Sequence, residues 1–253
     1  RSGRSPSPDT MLAFQGCHVF LNHVTPEEAI EQFKPDVLIF HNISETVIPQ
    51  ALPAGVPTIF YQHSALKQFE IFRERFDVAF CVSKHLAKQA KFDERFVLYQ
   101  PVPVPPTGGI RNHMKVGRIC TPNSGKWQAE DLLPVYEHLG PRFPELRYEF
   151  VGCPENVREK LVEILGDRAE FANASWAARQ KFNEWGMMVY SSSIEESYGR
   201  TVCEAQRAGC VPIVSRRGGF IEQVAQSPTD GFLCDSPEEF GNAVQAVLEA
   251  LTG

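Results

Sequence analysis

The stretch MMVYSSSIEESYGRTVCEAQRAGCVPIVSRRGGFIEQV, residues 187–224, decides how this chain folds. It opens on the apolar run MMVY, passes through the polar loop SSSIEES and enters a helical pattern near Gly199. The pattern ends at Gly209, whose missing Cβ suits a left-handed cap, and PIVS follows as a strand. Strand, loop, helix and strand in this order predict a right-handed crossover to a parallel neighbour. A helix opening at Arg200 points free backbone N–H groups at the strand ends, and its dipole makes that end a ready site for a phosphate or diphosphate. Gly199 lets an anion approach the backbone closely. Glu196 reaches into the cleft ahead of the helix, and Glu204 follows after seven intervening residues, about one turn inside it. An acid there can accept hydrogen bonds from a ribose diol, as in dinucleotide sites.

Outward from this unit the alternation of apolar runs and amphipathic stretches continues. In the second part of the chain it predicts strands at 115–120, 147–151, 170–173, 187–191, 212–215 and 231–234. Helical patterns fit 129–139, 155–165, 176–183, 200–208, 220–225 and 237–251. Six strands with intervening helices make a complete Rossmann-like domain over 110–253. Before it lies QPVPVPPTGG, residues 100–109, where repeated prolines and two glycines stop any helix or central strand and provide a connector or hinge. The first part offers strands at 18–22, 37–41, 58–62, 78–83 and, weakly, 97–100, with helices at 26–33, 64–73 and 84–91. Runs such as VLIF and TIFY are apolar throughout, as parallel strands covered on both faces require. The expected architecture is therefore α/β with two Rossmann-like domains, the first (11–105) incomplete. Chemistry belongs at the carboxyl ends of the strands, in the cleft between the lobes.

Composition narrows the class of function. The chain has 253 residues, 43% hydrophobic and 22% charged, which suits two small globular domains. A net charge of −6 with mixed signs leaves no nucleic-acid footprint. No apolar run is long enough to span a bilayer and no signal peptide precedes the first strand, so a cytoplasmic protein is expected, with peripheral membrane contact left open. Seven scattered cysteines without a CxxC pair read as reduced, buried thiols, and the seven histidines show no metal-ligand spacing. The opening RSGRSPSP carries no periodicity and reads as a disordered tail.

The 187–224 stretch resembles the signature of the family-four retaining glycosyltransferases (glycosyl transferases group 1), which share the two-lobed GT-B fold. The matching elements are Glu196, Ser197, Tyr198, Gly199, Glu204, Ala205, Ala208, Gly209, Pro212, Gly218, Gly219 and Glu222. So many fixed offsets in one unit are far more specific than a lone GxGxxG. VGRICTPNSGKW is similar to the family's first donor-domain strand and loop, whose Arg and Lys clamp the donor diphosphate; these roles pass to Arg118 and Lys126. YEFVGCPEN, with Gly152, and DGFLCDSPEEF, with Gly231 and Leu233, resemble later family segments, and PDVLIFHN, GVPTIFYQHS and FDVAFCVSKH match the acceptor-side strands in order. The resemblance runs from about Val19 onward. Relatives begin with a further strand, glycine-rich loop and helix, and end beyond one last helix, so this chain reads as a fragment, a short member, or a lobe completed by another chain or domain.

The resemblance implies transfer of a sugar from a nucleoside-diphosphate sugar to a glycan, lipid or small-molecule acceptor hydroxyl, with retention, no metal and no bound cofactor. Donor-binding residues would be Arg118, Lys126, Ser197, Tyr198, Gly199, Arg200, Thr201 and Glu204; Glu196 and His63 would contact the sugar as catalytic groups. Plainer readings stand beside these. Thr201 and Glu204 also fit a capping box, Glu195 is a solvated loop charge, and Arg216 and Arg217 form a solvated loop. His63 is either a donor-sugar contact or a hydrogen-bonded interface histidine. Two other functions remain: a non-catalytic module that keeps the donor pocket, and a sugar-nucleotide epimerase on the same fold, which the signature favours less.

Overall fold

The structure is a computed structural model that describes residues 25–42, 52, 54–64, 74–102, 111–122 and 124–252. The expected strand at 18–22, nearly all of the helix at 64–73, most of the connector and Cys17 lie outside those residues. The chain divides into two compact units, Arg1–Tyr99 and Gln100–Gly253. Both are built on parallel sheets, which bears out the α/β class.

The first unit begins with α1 (Pro26–Phe33), which Thr25 starts through a capping box: its side chain accepts from the Glu28 amide, and the Glu28 carboxylate accepts from the Thr25 amide. Strands β1 (Leu38–His41), β2 (Thr58–Gln62) and β3 (Val78–Cys81) then pair in parallel in the order β1-β2-β3. Phe60 stacks on Phe76 at 4.9 Å under this sheet. Asp77 ties the start of β2 down by accepting from both the amide and the hydroxyl of Thr58, at 2.7 and 2.8 Å. Ser83 caps α2 (Lys84–Gln89) by accepting from the Leu86 amide. The weak strand expected at 97–100 is a correction: Val97 makes a single parallel bridge to Cys81, after a short 3₁₀ turn at Glu94–Phe96. Its apolar side chains read as a strand, but only one rung of a ladder forms.

The second unit carries β4 (Asn112–Ile119), α3 (Ala129–Arg142), β5 (Arg147–Val151), α4 (Glu155–Leu165), β6 (Ala169–Ala172), β7 (Trp185–Tyr190), α5 (Arg200–Ala208), β8 (Val211–Ser215), β9 (Phe232–Cys234) and α6 (Pro237–Thr252). All six strands run parallel in the order β6-β5-β4-β7-β8-β9. This is the doubly wound Rossmann order, in which the winding reverses between the first and fourth strands, here β4 and β7. In sheets of this order ligands bind beyond the carboxyl ends of those two strands. The expected helices at 176–183 and 220–225 are instead 3₁₀ turns, Trp176–Asn183 and Gly218–Glu222.

The core of this unit is continuous across both faces of the sheet. On one face α3 packs against α6 and α4, and Tyr136 meets Phe150 at 5.0 Å. Within the sheet Gly117 is obligatory, because a Cβ there would lie 1.9 Å from the Trp185 ring. That indole in turn donates to the buried Glu149 carboxylate at 2.9 Å, which also pairs with Lys115 at 2.9 Å and Lys181 at 3.1 Å. A carboxylate buried in a sheet is tolerated only with such a set of partners. Cys81, Cys120, Cys153, Cys210 and Cys234 are buried free thiols and Cys203 is half-buried, as their apolar settings predict.

Candidate functional site

The loop after β4 (residues 120–128) and the loop after β7 (residues 191–199) meet at the switch point, and a buried arginine bonds to both. Arg118, near the end of β4, is only 1% exposed. Its Nη1 donates to the Ser191 carbonyl at 3.0 Å and its Nη2 to the Lys126 carbonyl at 2.9 Å, one bond to each loop. The guanidinium lies between the rings of Tyr190, at 4.3 Å, and Trp127, at 5.0 Å. The structure thus sets this arginine inside the lobe, with both terminal nitrogens engaged, where the sequence reading expected a phosphate contact. Its Nε is buried without a hydrogen-bond partner among the described residues.

Lys126 and Glu196 are half-buried and form an ion pair between the two loops. The Tyr190 hydroxyl donates to the same Glu196 oxygen at 3.3 Å. Burial pushes the Tyr190 phenol well up, more than the neighbouring Arg118 charge lowers it, so Tyr190 stays a donor. Glu195, by contrast, is exposed, in keeping with its plainer reading.

The glycines of the motif earn their positions by contact. Gly199 is the N-cap of α5 with φ 84°, and a Cβ on it would stand 2.2 Å from the Phe220 ring. The Gly219 amide donates to the Glu196 carbonyl at 2.7 Å. A Cβ on Gly218 would meet that carbonyl at 2.5 Å, and one on Gly219 would meet the Tyr198 Cα at 2.6 Å. The 218–222 turn is therefore a brace laid directly under residues 196–198. Gln223 secures it by donating to the Tyr198 and Gly219 carbonyls.

At the start of helix α5 the Val202 amide donates to the Gly199 carbonyl at 3.0 Å, which leaves the amides of residues 200 and 201 toward the loop. Gly199 supplies no side-chain cap, and no acid stands in the first turn. Arg200, its first residue, places a cation at the positive end of the dipole, an arrangement that favours an added anion. Ser197, Tyr198 and Thr201 are half-buried around this end. Gly209 closes the helix in the left-handed region at φ 78°.

Glu204 lies on the inner side of α5 and is 2% exposed. Its Oε1 accepts from Arg179 Nε at 2.9 Å and stands 3.5 Å from Arg200 Nη2. Burial pushes its carboxyl up, against the opposing pull of Arg179 and Arg200. The capping-box reading is corrected here: α5 begins at Arg200 with Gly199 as its cap, Thr201 lies within the helix, and the carboxylate faces Arg179.

A profile of the family described as glycosyl transferases group 1 matches residues 113–250. The chain belongs to this family. The matched span of this group 1 glycosyltransferase chain contains Arg118, Lys126, and everything from Glu196 to Glu204. No curated protein matches the chain significantly by sequence. Among solved structures it resembles HepE of Anabaena in complex with UDP and glucose, with a TM-score of 0.61 and 16% identity, over 78% of this chain and 63% of that one. A glycosyltransferase from Rickettsia africae gives a TM-score of 0.67 at 13% identity, over 98% of this chain and 79% of that one. A TarM mutant of S. aureus, solved with fondaparinux, alpha-GlcNAc-glycerol and UDP, gives 0.60 at 12% identity, over 79% of this chain and 45% of that one. At such identities the likeness is one of fold, the two-lobed GT-B class. The chain spans less than two thirds of the length of HepE.

His63 falls in the first unit, just past β2. Its ring lies 3.9 Å from that of His41 at the end of β1, and its amide donates to Asn42 Oδ1 at 3.2 Å. Arg216 and Arg217 are both exposed, in keeping with the solvated-loop reading, and Arg216 donates to Asp235 at 2.8 Å. Arg179 and Gln223 were missed by the sequence reading. Arg179 sits in the polar run ARQK without a motif offset; Gln223 adjoins the motif residue Glu222, the one signal that could have found it. No cluster of metal-ligating side chains occurs among the described residues, and no helix among them is long and apolar enough to cross a membrane.

Proposed function

We propose that this chain binds a nucleoside-diphosphate sugar at the opening of α5 and transfers the sugar to an acceptor hydroxyl with retention at the anomeric carbon. The observation that carries the reading is the uncapped start of α5, with left-handed Gly199, Arg200 and the buried Glu204 set beside the Lys126–Glu196 pair. In this reading the diphosphate lies on the amides at 200–201 and takes a charge-assisted bond from Lys126. Arg118 holds the two loops together and adds its buried positive charge to the field at the switch point. Glu204 accepts from the ribose, Glu196 from sugar hydroxyls, and His63 is a further sugar contact by resemblance to the family.

The reaction breaks the bond between the anomeric carbon and the diphosphate oxygen and forms one to the acceptor oxygen. Negative charge grows on the leaving diphosphate, where Lys126 and the helix start stabilise it. The acceptor proton passes to the departing phosphate. Retention rests on the resemblance to family-four enzymes, and a cytoplasmic setting on the sequence reading. Positive charge from Lys126, Arg118, Arg200 and the helix start fills the role that a divalent cation would otherwise play, so turnover should survive chelation. That UDP occurs in the HepE and TarM complexes makes it the first donor nucleotide to try.

The test is release of nucleoside diphosphate from UDP-, GDP- and ADP-sugars, with glycan, lipid and small-alcohol acceptors and with EDTA present. Consumption of one donor, slowed in Glu196→Gln, supports transfer. Donor binding without turnover on any acceptor supports the non-catalytic module instead.

A further inference from the structure

Glu204 is held asymmetrically. Both cations approach Oε1: Arg179 through Nε at 2.9 Å and Arg200 through Nη2 at 3.5 Å. Among the described residues none hydrogen-bonds to Oε2. At 3.5 Å the Arg200 contact lies beyond the usual range of a directional hydrogen bond, so the Arg179 bond alone fixes the plane of the carboxylate. Arg179 can do this because its own turn is anchored: Ala178 and Phe182 are buried, and the Trp176–Asn183 turn packs against α5. We infer that Arg179 is a positioning residue for ribose recognition, which engages Oε1 of Glu204 so that Oε2 is left as the acceptor for the ribose hydroxyls.

The inference rests on the proposed donor site. Two features make it specific. A carboxylate that is 2% exposed and lacks its arginine would take up a proton or turn within its pocket, and either change removes an acceptor. The bond comes from a planar Nε–H, whose direction a lysine ammonium does not reproduce.

The experiment is calorimetric titration of the chain with UDP, GDP and ADP, and with the 2′,3′-dideoxy counterpart of whichever binds best. Wild type, Arg179→Ala, Arg179→Lys, Glu204→Ala and the Arg179→Ala/Glu204→Ala double variant are compared, and their folding is followed by thermal unfolding. The wild type should prefer the ribonucleotide by about tenfold or more, the worth of a hydrogen bond to a charged acceptor. Arg179→Ala and Glu204→Ala should each lose most of that preference while keeping dideoxynucleotide affinity, and the double variant should lose no more than either alone. Should Arg179→Ala fail to fold, Arg179→Lys carries the same expectation. A preference that persists in the Arg179 variants, or an equal loss for both ligands, overturns the inference and leaves the donor site standing. A wild type that binds no nucleoside diphosphate overturns the donor site and the inference together.

Discussion

Lys126 and Glu196, one from each loop at the β4/β7 switch point, are paired with each other. In the proposed reading, a donor that draws Lys126 to its diphosphate releases Glu196 to the sugar, so one rearrangement prepares both contacts. Glu196→Gln should therefore leave nucleoside-diphosphate affinity unchanged or a few-fold tighter, while donor turnover falls by at least about tenfold. Lys126→Ala should weaken the diphosphate by about tenfold. Titration and product release, measured on both variants, check the pair; equal losses of nucleotide affinity in the two would break the argument.

The brace under the loop predicts a steric phenotype. Gly199→Ala must fit a Cβ where the Phe220 ring stands, at 2.2 Å, on backbone with φ 84°. Left-handed strain and overpacking together should lower stability by about 2–4 kcal/mol. Gly117→Ala, which drives into the Trp185 ring, should cost a comparable amount, with no specific effect on nucleotide binding beyond lost fold. Urea denaturation of the two variants measures both.

Glu149 predicts an acid-side loss of stability. Burial raises its carboxyl, but the bonds from Lys115, Trp185 and Lys181 outweigh this and hold it below the usual carboxylate range. A depressed folded-state value means that its stabilisation is present above the unfolded value and disappears as pH falls through the folded one. Glu149→Gln should cost about 2 kcal/mol at pH 7 and flatten the decline of stability on acidification below about pH 4.5. A parallel decline in both proteins would show that the buried carboxylate is not the titrating group.

Glu204 carries the opposite sign. Its carboxyl is raised by burial, so in the ligand-free protein its contribution to stability is greatest below the unfolded value and declines as pH rises through the folded one. Glu204→Gln should then leave ligand-free stability at pH 8 equal or higher, while weakening nucleotide binding. Thermal unfolding with and without nucleotide separates the two effects. A large loss of ligand-free stability would mark Glu204 as a structural acid instead.

What the sequence discloses follows from how local each determinant is. Arg147–Val151, Glu155–Leu165 and Arg200–Ala208 are legible to the residue, because apolar period and flanking glycines such as Gly166 and Gly209 mark their ends. The start of β4 at Asn112 is not, since its polar residues are drawn into the sheet by pairing with Trp185. Residues 97–100 have the side chains of a strand but only one rung of pairing. At the site, the offsets of Gly199, Gly218 and Gly219 are legible because each meets a ring or backbone too closely for a Cβ. The burial of Arg118 is not, since charge argues for the surface and only tertiary packing brings Tyr190 and Trp127 around it. Arg179 hides for the same reason: in ARQK it reads as a solvated face, and its partner lies 25 residues away.

The most direct measurement is calorimetric titration of the chain with UDP, GDP and ADP, in wild type and in Glu204→Ala. The proposed donor site predicts micromolar binding of one nucleotide, weakened about tenfold or more by the substitution. Absence of binding in the wild type, or equal affinity in the two proteins, would contradict a donor site built on the start of α5.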